Sequence, residues 1–228
     1  MFYRLYIELN KTKSFAAREA LLHDLDNPHA QWNLQDEQLP DYKPQFGDLR
    51  LTAESSLVDF VDDGSAIGGH GLLVSEKALS VLQKLTLPPN RAYSLTATHR
   101  GKKISEKYYW LQILSVDYSD WIDYSKSEFQ LRSQFEMDPD VPGENAVIQN
   151  AKEFKKLLET LGENDQELLF SKLVLNEKFK QLNFDIFYLP QLAGVQASFP
   201  IVNERLRNAF EKNKLVGYQL RSVPIELN

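Results

Sequence analysis

The side chains that most often do chemistry in proteins are few in this chain, and their spacing fits neither a reaction centre nor a metal site. The 228 residues include four histidines and no cysteine, which excludes a thiolate metal site, a cysteine nucleophile and a disulfide framework. No two histidines have the spacing of a zinc-binding helix, and the nucleophile elbow Gly-x-Ser-x-Gly does not occur. We therefore predict no metal, no cofactor and no catalytic activity. An enzyme whose site is assembled from distant residues is the alternative.

The most glycine-dense stretch, residues 64–71, has the composition of a phosphate loop but not its pattern. The Gly-Lys-Ser/Thr ending is absent, because His70 and Gly71 follow Gly69, and no long helix begins directly after it. We interpret the stretch as a loop that leads into a strand. A loop that touches a partner is the other interpretation.

Two glutamates, Glu76 and Glu204, occupy matching positions at the start of predicted helices. Two carboxylates in related positions could form an acid–base pair. An acid in the first helical turn is, however, stabilised by the helix dipole in any protein. The residues before them, Ser75 and Asn203, have side chains that can cap a helix. We therefore interpret all four residues as structural.

A tryptophan stands among acids just after a predicted strand. The segment 117–144 carries eight acidic residues against Lys126 and Arg132. An aromatic side chain ringed by carboxylates is a reasonable anchor for a basic partner, and ordinary core packing of Trp121 is the alternative. The candidate partner-binding residues are Asp117, Asp120, Trp121, Asp123 and Tyr124.

Charge supports a protein partner over a nucleic acid. The net charge is −6, and residues 1–70 hold 12 acids and 6 bases. Phosphate backbones need a basic face, whereas an acidic surface suits a basic protein or simply promotes solubility. No apolar run is long enough to span a bilayer, and the first residues do not resemble a secretory signal. We expect a cytoplasmic protein that contacts neither nucleic acid nor membrane.

The elements that must position these residues include a segment that occurs twice, at about 70–97 and 199–224. Each copy reads as an apolar strand, a small polar cap, a glutamate, a base, an amphipathic helix and an aromatic strand. We predict an α+β protein with a mixed or antiparallel sheet and a repeated strand-helix-strand unit. We predict a domain over residues 70–228. Residues 1–69 form an N-terminal region that is either separate from this domain or continuous with it.

Other elements follow from hydrophobic periodicity. Strands are predicted over 2–8 and 184–189, and the turn at 99–102 should join strands at 93–97 and 107–116. Helices are predicted over 14–25, around Phe154–Leu161 and over 164–181, the last with Leu168, Leu169 and Leu173 facing inward. Residues 138–145, rich in proline and glycine, are the predicted linker.

Several of these segments together resemble the bacterial immunity proteins of polymorphic toxin systems, namely immunity protein family 11 or the related family 43. The resemblance covers about residues 70–226. It lies in the segments 71–77, 108–114, 184–187, 201–206 and 217–218 and in the aspartates between 117 and 123. Lys77 replaces the family's usual arginine in the first copy, and Asn203 replaces its serine in the second.

The resemblance implies a non-enzymatic protein that binds a cognate toxin delivered by neighbouring cells and neutralises it. It does not identify the toxin, although the acidic segment would suit a basic one. A regulatory interaction module outside toxin biology is a further alternative, besides the enzyme.

Overall fold

The computed structural model describes residues 1–8, 26–51, 56–62, 67–136, 141, 143–161, 164–192 and 199–228. The helix predicted over 14–25 lies outside the described residues, as does most of the glycine-rich stretch before Gly68. None of the helices in the described ranges is long and apolar enough to cross a membrane.

The described chain contains four α-helices. They are α1 (Glu76–Leu82), α2 (Ala151–Leu161), α3 (Glu177–Leu182) and α4 (Glu204–Lys212). Two short 3-10 helices cover Gln31–Asn33 and Ser119–Trp121. The strands are β1 (Phe2–Ile7), β2 (Leu49–Leu51), β3 (Phe60–Val61), β4 (Gly71–Ser75), β5 (Asn90–Leu95), β6 (Ala97–His99), β7 (Lys102–Lys103), β8 (Tyr108–Ile113), β9 (Glu128–Ser133), β10 (Glu144–Ala146), β11 (Gln166–Leu175), β12 (Ile186–Phe187), β13 (Ile201–Asn203), β14 (Tyr218–Val223) and β15 (Ile225–Leu227).

These strands form four sheets. The central sheet has the order β3-β4-β8-β5, the terminal sheet β12-β13-β1-β14, the hairpin sheet β10-β9-β11-β15 and the small sheet β2-β6-β7. Most neighbours are antiparallel, while β2 with β6 and β11 with β15 are parallel. The predicted α+β class is confirmed.

The helix predicted over 164–181 is wrong, because residues 166–175 form the ten-residue strand β11. Its leucines fit a helical face, but the segment pairs with β9 on one side and with β15 on the other. Leu168 and Leu173 are fully buried in the strand. Pairing on both edges outweighs local periodicity here. The helix begins only at Glu177, where the Asn176 side chain accepts a hydrogen bond from Lys178 N.

Three smaller expectations also change. Strand β5 does pair with β8, but the turn at residues 99–102 joins β6 to β7 instead. Only Ile186 and Phe187 of the segment 184–189 are in a strand. The end of the predicted linker belongs to β10, which pairs with β9, and residues 137–140 lie outside the described ranges.

The two segments that look alike in sequence have the same connections. In one, β4, α1 and β5 follow each other, and both strands flank the antiparallel β8. In the other, β13, α4 and β14 follow each other, and both strands flank the antiparallel β1. The Ser75 hydroxyl accepts from Ala78 N at 3.1 Å, and the Asn203 amide oxygen accepts from Leu206 N at 3.0 Å. That the segments are copies of one unit stays a prediction.

A buried aspartate connects the start of α1 to the segment just after α4. Asp59 is 6% exposed and accepts from the Ser75 hydroxyl at 2.7 Å and from Val216 N at 2.9 Å. Its own backbone amide donates to the Val216 carbonyl. Ser75 caps α1, whereas Val216 lies just after α4, so the carboxylate joins the two segments.

A second aspartate makes the complementary connection. Asp185 is 0% exposed and accepts from the Asn203 side-chain amide at 2.8 Å and from Thr86 N at 2.7 Å. Its backbone amide donates to the Thr86 carbonyl, and Arg205 forms an ion pair with its carboxylate. Asn203 caps α4 and Thr86 follows α1. Asp59 and Asp185, the reciprocal aspartates, therefore lock the two segments to each other.

The apolar core has the same arrangement. One cluster combines residues of both segments, among them Leu82 on α1 and Phe210 on α4, which are both fully buried. The Phe60 ring packs 4.9 Å from the Phe210 ring. A separate cluster joins residues of the hairpin sheet, the terminal sheet, α2 and α3, and it contains Trp121, Phe129 and Phe154. This second cluster carries the acidic segment singled out in the sequence.

Candidate functional site

Trp121 is a core residue in this structure. Its side chain is 5% exposed, and its ring lies 5.4 Å from Phe179, 5.8 Å from Phe184 and 6.1 Å from Phe187. Of the two alternatives for Trp121, surface anchor or ordinary packing, this burial supports packing. The ring holds the 3-10 helix at residues 119–121 against the core.

Tyr124 supports the same turn through a hydrogen bond and a ring contact. Its hydroxyl donates to the Ser119 carbonyl at 2.7 Å, and its ring lies 5.8 Å from Phe154. Burial raises the pKa of Tyr124 well above its usual value, and the charges of Asp120 and Asp117 raise it further. The hydroxyl therefore stays protonated and keeps its hydrogen bond at any physiological pH.

Two of the predicted carboxylates project from this turn into solvent. The side chains of Asp117 and Asp120 are 58% and 64% exposed. Each contacts a lysine, with 2.5 Å from Asp117 to Lys155 Nζ and 3.1 Å from Asp120 to Lys178 Nζ. Partial burial acts to raise the pKa of Asp117, but hydrogen bonds from Lys155 and Ser119 outweigh it and lower that pKa. We call Asp117 and the 3-10 helix that follows it, which carries Asp120, the acidic turn.

Asp123 is mostly buried and is held by hydrogen bonds within the chain. Its side chain is 16% exposed, and it accepts from the Ser125 hydroxyl at 2.6 Å and from the Asn228 side-chain amide at 3.1 Å. Hydrogen bonding from Ser125, followed by that from Lys126, lowers the pKa of Asp123. The structure thus brings the five predicted residues together, and Asp117 and Asp120 are the exposed ones among them, while Asp123 and Tyr124 are partly buried and Trp121 is buried.

A cleft of about 350 Å³ opens beside the acidic turn. Its apolar side is formed by Phe154 and Leu158 on α2, and its polar side includes Glu37, Asp117 and Lys155. The contribution of Glu37 was missed from the sequence, because a loop residue 80 positions upstream carries no local signal that it will meet Asp117.

The two matching glutamates serve separate surface pairs. Glu76 accepts from Lys107 Nζ at 3.0 Å, while Glu204 accepts from the Arg207 guanidinium at 3.2 Å. Both side chains are about half exposed. They share no hydrogen-bond partner in the described chain, so nothing in their geometry favours an acid–base pair.

His70 is the histidine with the most polar surroundings. Its Nδ1 lies 2.5 Å from the Ser115 hydroxyl and 3.4 Å from an oxygen of Asp36, and its ring stacks on Tyr188 at 4.3 Å. A serine–histidine–acid relay needs the hydroxyl and the acid on different ring nitrogens. Here both face the same nitrogen. The cluster instead fastens the segment around Asp36 to the end of β8.

This cluster predicts a pH dependence of stability. Burial lowers the pKa of His70 below 6.5, against the opposing charges of Asp36 and Glu37. Because the unfolded chain then binds the proton more readily, stability is full above pH 6.5 and falls as the pH drops towards the folded pKa. We expect the urea midpoint to decrease between about pH 7 and 5, and less so in His70→Gln. An equal decrease in both proteins would contradict this assignment.

Exposed apolar side chains stand out at the far end of the hairpin sheet. Phe135 is 69% exposed and Val141 is 39% exposed. Both line a groove of about 530 Å³ together with Leu131 and the acids Glu136, Glu144 and Asp165. We call these six residues the hairpin groove. The sequence reasoning missed Phe135, although it is the one aromatic residue between Phe129 and Phe154.

Metal binding gains no support from the geometry, since the described residues contain no group of three histidine or acidic side chains placed to hold an ion. Comparison with known proteins adds no assignment. No family model matches the chain, and no curated protein sequence does. The resemblance to the immunity proteins therefore rests on the motifs of the chain itself.

Proposed function

We propose that this chain is a non-enzymatic immunity-type protein that binds and neutralises a cognate bacterial toxin with a basic surface. The observation that carries the proposal is the acidic turn, where Asp117 and Asp120 project from a buried anchor beside a cleft. The family resemblance of the sequence supplies the toxin as the class of partner.

The anchoring of the turn favours tight binding. Trp121 is packed among three phenylalanines, and the Tyr124 hydroxyl holds the Ser119 carbonyl. A surface that is already ordered loses little conformational freedom when it binds. Neutralisation requires such a surface, because the inhibitor must hold its toxin at low concentration.

The lysines next to the two aspartates do not block a partner. Lys155 and Lys178 have side chains that are 53% and 65% exposed. Exposed ion pairs are worth roughly 0–1 kcal/mol, so an arginine or lysine of the partner can take their place. The cleft beside Glu37 and Asp117 gives such a side chain room to enter.

The experiment that tests the proposal is capture of the partner followed by a growth assay. The chain serves as bait in an extract of its native cell, and a protein recovered at near-equal stoichiometry is identified by mass spectrometry. Expressed alone, that protein should arrest growth, and co-expression of this chain should restore it. A captured protein that is harmless when expressed would favour a regulatory module and overturn the toxin assignment.

Charge reversal of Asp120 should weaken this complex. Asp120→Lys removes a carboxylate whose side-chain hydrogen bond is to an exposed lysine, so the fold should be retained. We expect at least about a tenfold higher Kd for the captured toxin, which corresponds to a loss of about 1.4 kcal/mol, measured by calorimetry at low salt. Glu106→Lys changes the net charge equally at an exposed bend between β7 and β8 and should bind normally. Equal affinities of both variants would remove the acidic turn from the interface.

A further inference from the structure

We infer that the hairpin groove is a docking site for a basic protein segment that carries an apolar side chain, with Phe135 as the contact at its centre. This inference rests on the proposed function, since it names a second part of the surface, besides the acidic turn, that would hold the toxin. It replaces Trp121, which is buried, with a different aromatic anchor in the same acidic stretch.

The exposure of Phe135 is the first reason. Phe135 lies in the turn after β9. Its backbone amide donates to the Ser133 hydroxyl, and the amide of Glu136 donates to the Ser133 carbonyl. A phenylalanine that is 69% exposed contributes little to the stability of the fold that an alanine in its place would not. Large exposed aromatic side chains next to a concave surface are typical of binding sites.

The walls of the groove are the second reason. Val141 and Leu131 extend the apolar surface of Phe135, so a side chain of leucine or valine size can be buried against three residues. Gly143 lies so close to β9 that a Cβ there would meet the Leu131 carbonyl oxygen at 2.6 Å. The backbone just before β10 therefore packs directly on β9 at this wall of the groove.

Charge decides which occupant fits. Glu136, Glu144 and Asp165 line the groove, and the positive charge that also lines it, Arg132, is held by Glu167 through contacts of 2.6 and 2.9 Å. Like charges would oppose a second copy of this chain in the same place. A segment with lysine or arginine beside an apolar side chain is complementary to the charge of the carboxylates and to the apolar surface of Phe135.

The test uses defined peptides, so that it does not depend on finding the toxin. The full chain, labelled with ¹⁵N, is titrated with acetyl-Lys-Leu-Lys-Leu-Lys-amide and, separately, with the acidic peptide acetyl-Glu-Leu-Glu-Leu-Glu-amide. We expect the basic peptide to shift the amide resonances of 131–136, 143–144 and 164–166, and the acidic peptide to leave them unchanged. Raising the salt from about 50 to about 500 mM should weaken the binding.

Variants identify the contact. Phe135→Ala should weaken peptide binding at least about tenfold, and Glu144→Lys should weaken it similarly. Val147→Ala is the matched control, because Val147 is 85% exposed on the same hairpin but does not line the groove. No binding, shifts spread over the whole surface, or equal affinity in Phe135→Ala would each overturn the inference. Concentration-dependent shifts of the chain alone at the groove would overturn it in favour of self-association.

The two proposals fail separately. Peptide binding in the groove without any captured toxin would support the docking site and count against the immunity function. A captured toxin whose affinity is unchanged by Phe135→Ala would support the function and show that its interface lies elsewhere.

Discussion

Replacement of Trp121 by alanine should lower the free energy of unfolding by about 3–5 kcal/mol, the range for removing a large aromatic side chain from a core. The indole is 5% exposed and contacts three phenylalanine rings, so its removal leaves a cavity in a packed core. Urea denaturation followed by circular dichroism measures the change. If Trp121 were a surface anchor instead, the change would be within about 0.5 kcal/mol, as for ordinary surface substitutions.

Two controls keep this result interpretable. Trp121→Phe retains most of the apolar volume and should cost clearly less than alanine. Phe135→Ala removes an aromatic side chain of similar kind from an exposed position and should leave stability nearly unchanged. Any loss of toxin binding in Trp121→Ala would then reflect the collapse of the acidic turn and not a missing contact.

Replacement of Asp185 by alanine should cost about 3 kcal/mol, because a fully buried carboxylate with several donors is lost. The Asn203 side chain and the Thr86 amide would both remain without this acceptor. The Arg205 side chain is half exposed, so its guanidinium can be solvated when the carboxylate is gone. The expected loss of stability is therefore at the lower end of the range for a broken buried ion pair. Thermal unfolding monitored by calorimetry gives the measurement.

A double-mutant cycle separates the charge from the capping role. If the ion pair dominates, Arg205→Ala should remove much of the effect of Asp185→Ala, whereas additive losses would assign the cost to Asn203 and Thr86. Glu204→Ala is the matched control, since Glu204 is an exposed acid next to the same cap and forms a surface ion pair with Arg207. It should unfold close to the parent protein.

Sequence reasoning succeeded where the cause is local. The caps at Ser75 and Asn203 depend on a side chain three residues before the amide it accepts from, and the amphipathic α2 depends on spacing within 11 residues. It failed at β11, whose leucines fit a helix equally well. The strand forms because it pairs with β9 and β15 at its two edges. The paired residues are 33 to 52 positions away in the sequence, so no local pattern shows this pairing.

The candidate site shows the same limit. The aspartates of the acidic turn lie three residues apart in sequence and could be grouped, but the burial of Trp121 depends on phenylalanines 58 to 66 residues further along. Glu37 reaches the neighbouring cleft from the opposite direction. Exposure is a property of the assembled core, so a pattern of acids around an aromatic residue cannot tell an anchor from a packing residue.

The pairing of β1 has a consequence for how the protein is made. Residues 2–7 form a central strand of the terminal sheet, and its neighbours are residues 201–203 and 218–223. During synthesis at roughly 5–20 residues per second, β1 waits at least about ten seconds before either neighbour exists. Its apolar side chains, Tyr3 and Leu5, are exposed to other proteins in that interval. Pairings so distant along the chain also fold slowly, so the nascent chain should depend on chaperones more than its size suggests.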